Sequence, residues 1–255
     1  MIRRSRMDEI LEPGGLTVVF QPIIELSPEG RRLHALEILS RGPQGTNMES
    51  PEILFEYARR KHCEGVIDRL CVGKGLREAT EISGDPVISV NVHASTLCRD
   101  AYFPGFLDET ASGLGIPLSR IIVEIVEYQP VWDGPTFLDS IAKLRKSGAQ
   151  IALDDIGQGQ SNYRMILDVR PDYFKLDRYF VSGCPTDPYR RAVLESISGL
   201  ARKFGAQAVA EGVETEEELA VVRDLGIDLV QGWLFSPAVP SWALRHSGLV
   251  TAIAA

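Results

Sequence analysis

The chain has 255 residues, of which 44% are hydrophobic and 24% charged, the composition of a globular protein with a sizeable core. A net charge of −8 argues against a surface that coats DNA or RNA, which needs broad positive potential, but it leaves open a small phosphorylated ligand met by local Arg, Lys or bound cations. No apolar run approaches the roughly 18 residues a membrane span requires. Asp8 and Glu9 follow Arg3, Arg4 and Arg6 where a signal peptide would have its apolar stretch, so a cytoplasmic chain is expected. Cys63, Cys71, Cys98 and Cys184 form no CxxC pair and have no histidine at ligand spacing, which favours reduced, structural thiols over disulfides or zinc.

Residues 17–26 and 33–39 read as strands separated by a short segment that contains Pro28 and Gly30. A parallel crossover needs about a dozen residues or more, so this pair is expected to be an antiparallel hairpin. Residues 86–90 form a short strand ending in Asn91, and residues 121–123 another ending in Glu124. Gly134-Pro135 then opens a helix with Phe137, Leu138, Ile141 and Leu144 on one face, basic residues in its last turn and Gly148 as its stop. The strand 151–153 ends in Asp154-Asp155, and Tyr173-Phe174, after Pro171, ends in Lys175.

The strand-and-helix unit then returns. A helix carrying Leu194, Ile197, Leu200, Ala201 and Phe204 stops at Gly205, and the next strand ends in Glu211. Thr215 and Glu218 form a capping box, Gly226 stops that helix, and the last strand ends in Gln231. Eight strands, six of them in βα alternation, predict one α/β domain: a closed (β/α) barrel with an antiparallel first strand, its core spanning about residues 17–240. An open doubly wound sheet is the alternative.

In such a barrel the side chains at the strand C-termini converge on one mouth. Glu37, Asn91, Glu124, Asp154, Lys175, Glu211 and Gln231 close the strands in turn, and the hairpin brings Gln21 to the same end. Each has a plain structural reading: Asp154-Asp155 as a turn, Glu211 and Glu214 as acids near a helix start, Asn91 as a cap, Lys175 as a strand-end lysine with a wetted tip. The coincidence across nearly every strand is what argues for a site. Closely spaced carboxylates repel and need cations, and an all-oxygen set without Cys or His points to Mg²⁺ or Mn²⁺. Two ions sharing a bridging Asp would use so many acids, and that arrangement serves in-line cleavage of a phosphodiester.

These residues closely resemble the EAL domain family, which hydrolyses the bacterial second messenger cyclic di-GMP to linear pGpG. Gln21-Pro22-Ile23, Glu37-Ile38-Leu39-Ser40-Arg41, Val90-Asn91-Val92, Glu124-Ile125-Val126-Glu127, Asp154-Asp155-Ile156-Gly157, Phe174-Lys175-Leu176-Asp177, Ala210-Glu211-Gly212-Val213-Glu214 and Gln231-Gly232 stand in the family's order. The resemblance implies a modified TIM (β/α)8 barrel with an antiparallel first strand. It implies that Glu37, Asn91, Glu124 and Asp154 hold one metal, that Asp154 bridges to a second beside Asp155, and that Glu211 joins the ligand set. Lys175 would orient the attacking water, and Gln231 would steady the same water network. Glu214 is a carboxylate expected near Lys175, opposing its deprotonation. Arg41 would contact a substrate phosphate, Gln21 the ligand, and Glu127 would anchor the loop after the paired aspartates.

Two departures stand out. Ile38 replaces the signature alanine and adds bulk beside Glu37, and Ile156 and Gln158 replace the family's usual loop residues, which predicts a looser loop and lower turnover. The implied activity is a two-metal cyclic di-GMP phosphodiesterase; the alternative is a catalytically weak or silent cyclic di-GMP receptor. Family members commonly dimerise near residues 155–161, so a homodimer and an unidentified regulatory protein are the partners considered beside cyclic di-GMP.

Overall fold

In the computed structural model, which describes residues 6–12, 14–126, 134–156 and 163–245, eight strands close into a barrel in sequence order. They are β1 (Thr17–Ser27), β2 (Gly30–Arg41), β3 (Val87–His93), β4 (Ile121–Val126), β5 (Gln150–Leu153), β6 (Tyr173–Leu176), β7 (Gln207–Ala210) and β8 (Leu229–Val230). β1 pairs antiparallel with both β2 and β8, and every other neighbouring pair is parallel. The closed barrel, and not the open doubly wound sheet, is therefore the architecture. Among the described residues no helix is long and apolar enough to cross a membrane.

The hairpin is tighter than its sequence suggests. Ser27 pairs with Gly30 across a two-residue turn, and Gly30 takes a φ of 134° that other residues rarely adopt. The helix stops fall where the glycines stand. Gly205 caps the helix Pro188–Phe204 in the left-handed conformation, and the Thr215–Glu218 capping box opens the helix Glu216–Asp224.

Period-2 alternation explains how the barrel builds its mouth. Ile23, Ala35, Ile122, Ala152, Tyr173, Val209 and Leu229 form one buried cluster that fills the barrel interior. Two residues further along each of these strands, on the same face, stand Glu37, Glu124, Asp154, Lys175, Glu211 and Gln231. On β1, which runs the other way, the equivalent step leads back from Ile23 to Gln21. Register levels the ring: Glu37 lies opposite Gln21 and Ser89, and Glu124 opposite Asn91 and Ala152. Glu37, Asn91 and Glu124 thus sit within their strands rather than at the ends, because pairing continues past them to Arg41, His93 and Val126.

Ile38, the bulky residue beside Glu37, faces outward into the main core cluster and is 4% exposed. Its room comes from Gly75 on the helix Glu64–Ala79, where an added Cβ would stand 2.6 Å from Ile38 side-chain carbons. β2 keeps an unbroken register with its neighbours here, Phe20 and Val90 lying opposite Ile38. Gly75→Ala is therefore expected to destabilise the protein by about 1–3 kcal/mol through overpacking, and Ile38→Ala in the same chain to recover most of the loss. Urea unfolding of the two single variants and the double variant measures that coupling; additive effects would show that the two residues do not share the space.

Candidate metal centre and substrate cleft

Lys175 stands at the centre of the mouth, 3% exposed, on β6. Its Nζ lies 3.2 Å from Glu37, 2.6 Å from Glu211 and 3.9 Å from Asp154, and it donates a short bond to Glu124. One ammonium thus faces four carboxylates. Burial would lower its pKa, but Glu124, Glu211, Glu37 and Asp154 together outweigh burial and hold it well above the ordinary lysine value. The lysine is a fixed cation and donor.

The four acids are not equivalent. Burial would raise Glu37, but Lys175, the Asn91 amide at 2.9 Å and the Gln231 amide at 2.8 Å outweigh it and hold Glu37 below the usual carboxylate range. Burial raises Glu124 well above that range, and Glu37 adds to the rise. Ser89 donates to Glu124 Oε2 at 3.1 Å and fixes its orientation. Burial also raises Asp154, and it pushes Glu211 up to about 8. Asp155, at a left-handed φ of 51° that aspartate tolerates better than most residues, is pushed up to about 7, by burial first and then by Asp154 and Asp177. The negative charge here exceeds what Lys175 can balance.

The geometry fits hard divalent cations. Ligand oxygens of Glu37, Glu124 and Glu211 lie within 4.8 Å of one another, and so do those of Asp154, Asp155 and Glu211. The donors are all oxygen, the set that suits Mg²⁺ or Mn²⁺. Glu211 is common to both groups of three, whereas the family resemblance implied Asp154 as the bridge. Asn91 adds an amide oxygen beside Glu37, its Nδ2 being spent on Glu37 and on the Ile38 carbonyl. The Gln231 Oε1 is buried and has no partner among the described residues, an acceptor left for something in the mouth.

Two clefts open from this floor, and Glu37 and Asp154 belong to both. One, of about 210 Å³, runs past Arg41 toward Phe55 and His93. Arg41 donates to the Ser40 carbonyl at 2.9 Å and is half-buried. The other, of about 270 Å³, holds Gln21, Glu211, Gln231 and Trp233. Gln21 Nε2 donates to the Ser236 carbonyl at 3.3 Å, which turns its side chain along the rim. Glu214 lines this cleft but bonds Arg178 at 2.9 Å, so the carboxylates beside Lys175 are the four ring acids and not Glu214. Ile156, expected to loosen its loop, is buried in the core and its N–H donates to the Lys175 carbonyl at 3.2 Å. Glu127 and Gln158 lie outside the described residues, as does most of the loop on which the dimer expectation rests.

Three participants were given no role by the sequence reading, although Asp177 stands in the motif after Lys175. Ser89 stands two residues before Asn91 on the same strand face, a period-2 signal that points at Glu124. Asp177, one residue past β6, caps the turn Arg178–Val181 and raises Asp155. Arg178 pairs with Glu214 and lies 5.8 Å over the Trp233 ring, a pairing across separate loops that no local pattern announces.

The raised acids set a pH dependence whose sign follows directly. Asp155 and Glu211 bind protons more tightly folded than unfolded, so their contribution to stability is fullest below about pH 4 and is lost as pH rises through about 7 to 8. With divalent cations removed by EDTA, the Tm is expected to fall between pH 5 and pH 9; Mn²⁺ is expected to flatten that slope by binding the ionised acids. Scanning fluorimetry across this range checks it, and a Tm that rises with pH in EDTA would contradict the assignment.

Fold and site together define a closed barrel with a reversed opening strand and an acid-ringed mouth fitted to divalent cations. The chain belongs to the EAL domain family, whose model matches residues 3–238. It is similar to an uncharacterized protein of Mycobacterium tuberculosis, 29% identical over 242 residues that cover 92% of this chain and 38% of that protein. It is also similar to the cyclic di-GMP phosphodiesterase RocR of Pseudomonas aeruginosa, 30% identical over 240 residues that cover 90% of this chain and 59% of RocR. Among solved structures, the manganese and cyclic di-GMP complex of Klebsiella pneumoniae BlrP1 at pH 9.0 aligns with a TM-score of 0.79 and 25% identity, covering 90% of this chain and 58% of that one. The chain therefore spans only part of the length of these relatives.

Proposed function

We propose that the chain is a cytoplasmic phosphodiesterase that cleaves cyclic di-GMP to linear pGpG with two divalent cations, Mg²⁺ or Mn²⁺. The observation that carries this reading is the ring of Glu37, Glu124, Asp154 and Glu211 around one buried lysine, an excess of negative charge arranged in two overlapping oxygen sets. Glu37, Asn91, Glu124 and Asp154 would hold one ion, and Asp154, Asp155 and Glu211 the other. When bound, the ions supply an activated water and charge stabilisation for the leaving oxygen.

The remaining work falls to the chain's own groups. Lys175, protonated and fixed by four carboxylates, donates to the attacking water and orients it rather than taking its proton. The unpaired Gln231 Oε1 accepts from the same water, since Gln231 is anchored through its amide nitrogen to Glu37. Arg41, at the head of one cleft, pairs with a phosphate of the ring in the fork geometry that guanidinium favours. Water forms the new P–O bond and gives up a proton to solvent, the P–O3′ bond breaks, and the 3′ oxygen takes a proton from solvent and leaves as a hydroxyl. Two clefts meeting over one acidic floor suit a cyclic dinucleotide whose two halves diverge from a single scissile phosphate. The name of RocR and the ligand of the BlrP1 complex support the same substrate class.

Incubation with cyclic di-GMP and Mg²⁺ or Mn²⁺, followed by chromatography, is expected to yield pGpG. Ca²⁺ is expected to support much slower turnover, its larger and looser shell suiting a tight two-ion site badly. Folded protein that gives no pGpG with either Mg²⁺ or Mn²⁺ would refute the catalytic reading, and tight binding without product would make the chain a receptor.

A further inference from the structure

Glu124 is 1% exposed and stands inside β4, so its orientation is left to the donors around it. The backbone fixes a glutamate's Cβ but not the plane of its carboxylate, because the last torsion of the side chain is broad. Among the described residues two donors settle that plane: Lys175 bonds Oε1, and the Ser89 hydroxyl donates to Oε2 at 3.1 Å. Held at both ends, the carboxylate has one plane to offer a cation, and Mg²⁺ tolerates little departure from ideal geometry.

Ser89 reaches this oxygen from below the ring. On β3, Val87, Ser89 and Asn91 share one face by period-2 alternation, and Val87 packs against the apolar cluster that fills the barrel. Ser89, 1% exposed, is therefore the polar step between that filling and the acids. Its register neighbours are Glu37 on β2 and Ile122 on β4. The hydroxyl has one proton to give, and it goes to Glu124 rather than to the adjacent Glu37, which already accepts from Asn91, Gln231 and Lys175. A buried hydroxyl that needs only a partner of its own finds one in a backbone carbonyl, as Ser140 does in that of Leu97 at 3.1 Å.

We propose that Ser89 is a positioning residue for metal binding: it holds Glu124 in the orientation that serves the ion shared with Glu37, Asn91 and Asp154, and so raises the affinity of that site for Mg²⁺ or Mn²⁺. The inference rests on the two-ion reading and adds to it a residue outside the ligand set. Groups that fix a ligand from behind raise metal affinity because the ligand no longer has to be ordered when the ion binds. A neutral donor suits this task. Each carboxylate oxygen has two lone-pair positions, so Ser89 takes one at Oε2 and leaves the other for a cation. A second ammonium in its place would orient Glu124 equally but repel the ion. Lys175 balances charge in the ring, and Ser89 supplies orientation without charge.

The test reads Mn²⁺ binding to the substrate-free protein by electron paramagnetic resonance, for wild type, Ser89→Ala, Ser89→Thr and Ser140→Ala. Ser89→Ala is expected to weaken one of the two Mn²⁺ sites about 10- to 100-fold. It is expected to raise the Mn²⁺ concentration for half-maximal turnover by a similar factor, while the KM for cyclic di-GMP at saturating Mn²⁺ stays at the wild-type value. Ser89→Thr keeps the hydroxyl on a residue that strands favour and is expected to retain most of the affinity. Ser140→Ala removes a buried hydroxyl bond outside the mouth, on the helix Gly134–Lys146, and is expected to lower the Tm in EDTA without changing Mn²⁺ binding. Scanning fluorimetry in EDTA shows which variants are folded. Ser89→Ala that binds Mn²⁺ as wild type does overturns this proposal alone, as does Ser140→Ala that weakens binding equally or a folded Ser89→Thr as weak as Ser89→Ala. Wild-type protein that binds no Mn²⁺ overturns the two-ion reading together with this one. Wild-type protein that binds Mn²⁺ but yields no pGpG overturns the catalytic reading, and the Mn²⁺ isotherms still decide the role of Ser89.

Discussion

Asp154→Asn is expected to lower kcat by about 1,000-fold or more while leaving the EDTA-treated protein as stable as wild type, or more so. The two halves of that result come from one fact: burial and the neighbouring acids already hold Asp154 above its ordinary pKa, so its charge is unfavourable to the fold. An amide of the same shape removes a repelling charge and, with it, a carboxylate that would hold the ions of the proposed site. Glu37→Ala should stop turnover as completely but behave in the opposite way in stability. Glu37 is the one acid of the ring held below its ordinary pKa, and Asn91, Gln231 and Lys175 all bond to it. Its removal takes away the acceptor of the buried Gln231 amide and one acceptor each from Asn91 and Lys175, at a cost on the order of 1–3 kcal/mol. Turnover assays beside urea unfolding in EDTA separate the two variants. Equal stability of Asp154→Asn and Glu37→Ala would mean that the ring acids are electrostatically alike and that the charge distribution described above is wrong.

Lys175→Met should be the most destabilising single change at the mouth. Methionine keeps the length and packing of the side chain but removes the one cation that, among the described residues, pairs with Glu37, Glu124, Asp154 and Glu211. Breaking a buried charge pair by removing one partner costs about 3–5 kcal/mol, and here several acids lose the same partner. The loss should shrink at low pH as the acids take up protons, and Mn²⁺ should raise the Tm of Lys175→Met more than that of the wild-type protein. Scanning fluorimetry with and without Mn²⁺ reads both effects. A variant as stable in EDTA as wild type, with no added response to Mn²⁺, would remove the lysine from its central place.

Much of this arrangement was legible in the chain because parallel strands repeat a simple rule. An apolar residue fills the barrel and the residue two positions on faces the mouth, so Ala152 is followed by Asp154, Tyr173 by Lys175 and Leu229 by Gln231. Resemblance to the family then attached a chemistry to these positions. What stayed hidden depends on contacts between distant segments. The helix Glu64–Ala79 lines one cleft with Cys71 and Val72 yet buries Glu64, Asp68, Gly73 and Gly75 together with its apolar residues, so its hydrophobic periodicity is blunted. The accommodation of Ile38 by Gly75 requires knowing that β2 and this helix touch. The Arg178–Glu214 pair spans two loops, and Ile156, read as a loosening substitution, turned out to be a core residue because its side chain points inward from the turn.

The reversed direction of β1 has a consequence for how the barrel is joined to whatever precedes it. In a barrel of eight parallel strands, the chain enters the first strand from the end remote from the mouth. Here Thr17 lies opposite Arg41, so the entering chain arrives on the mouth side. The helix Arg6–Leu11 accordingly packs through Ile10 into a cluster with Leu54, Ala58 and Cys71, from the same two helices that supply Glu52, Phe55 and Val72 to the cleft. Only a few packed side chains separate that incoming segment from the cleft wall. The reversed strand thereby sets the amino-terminal side of the barrel against the helices that wall the cleft.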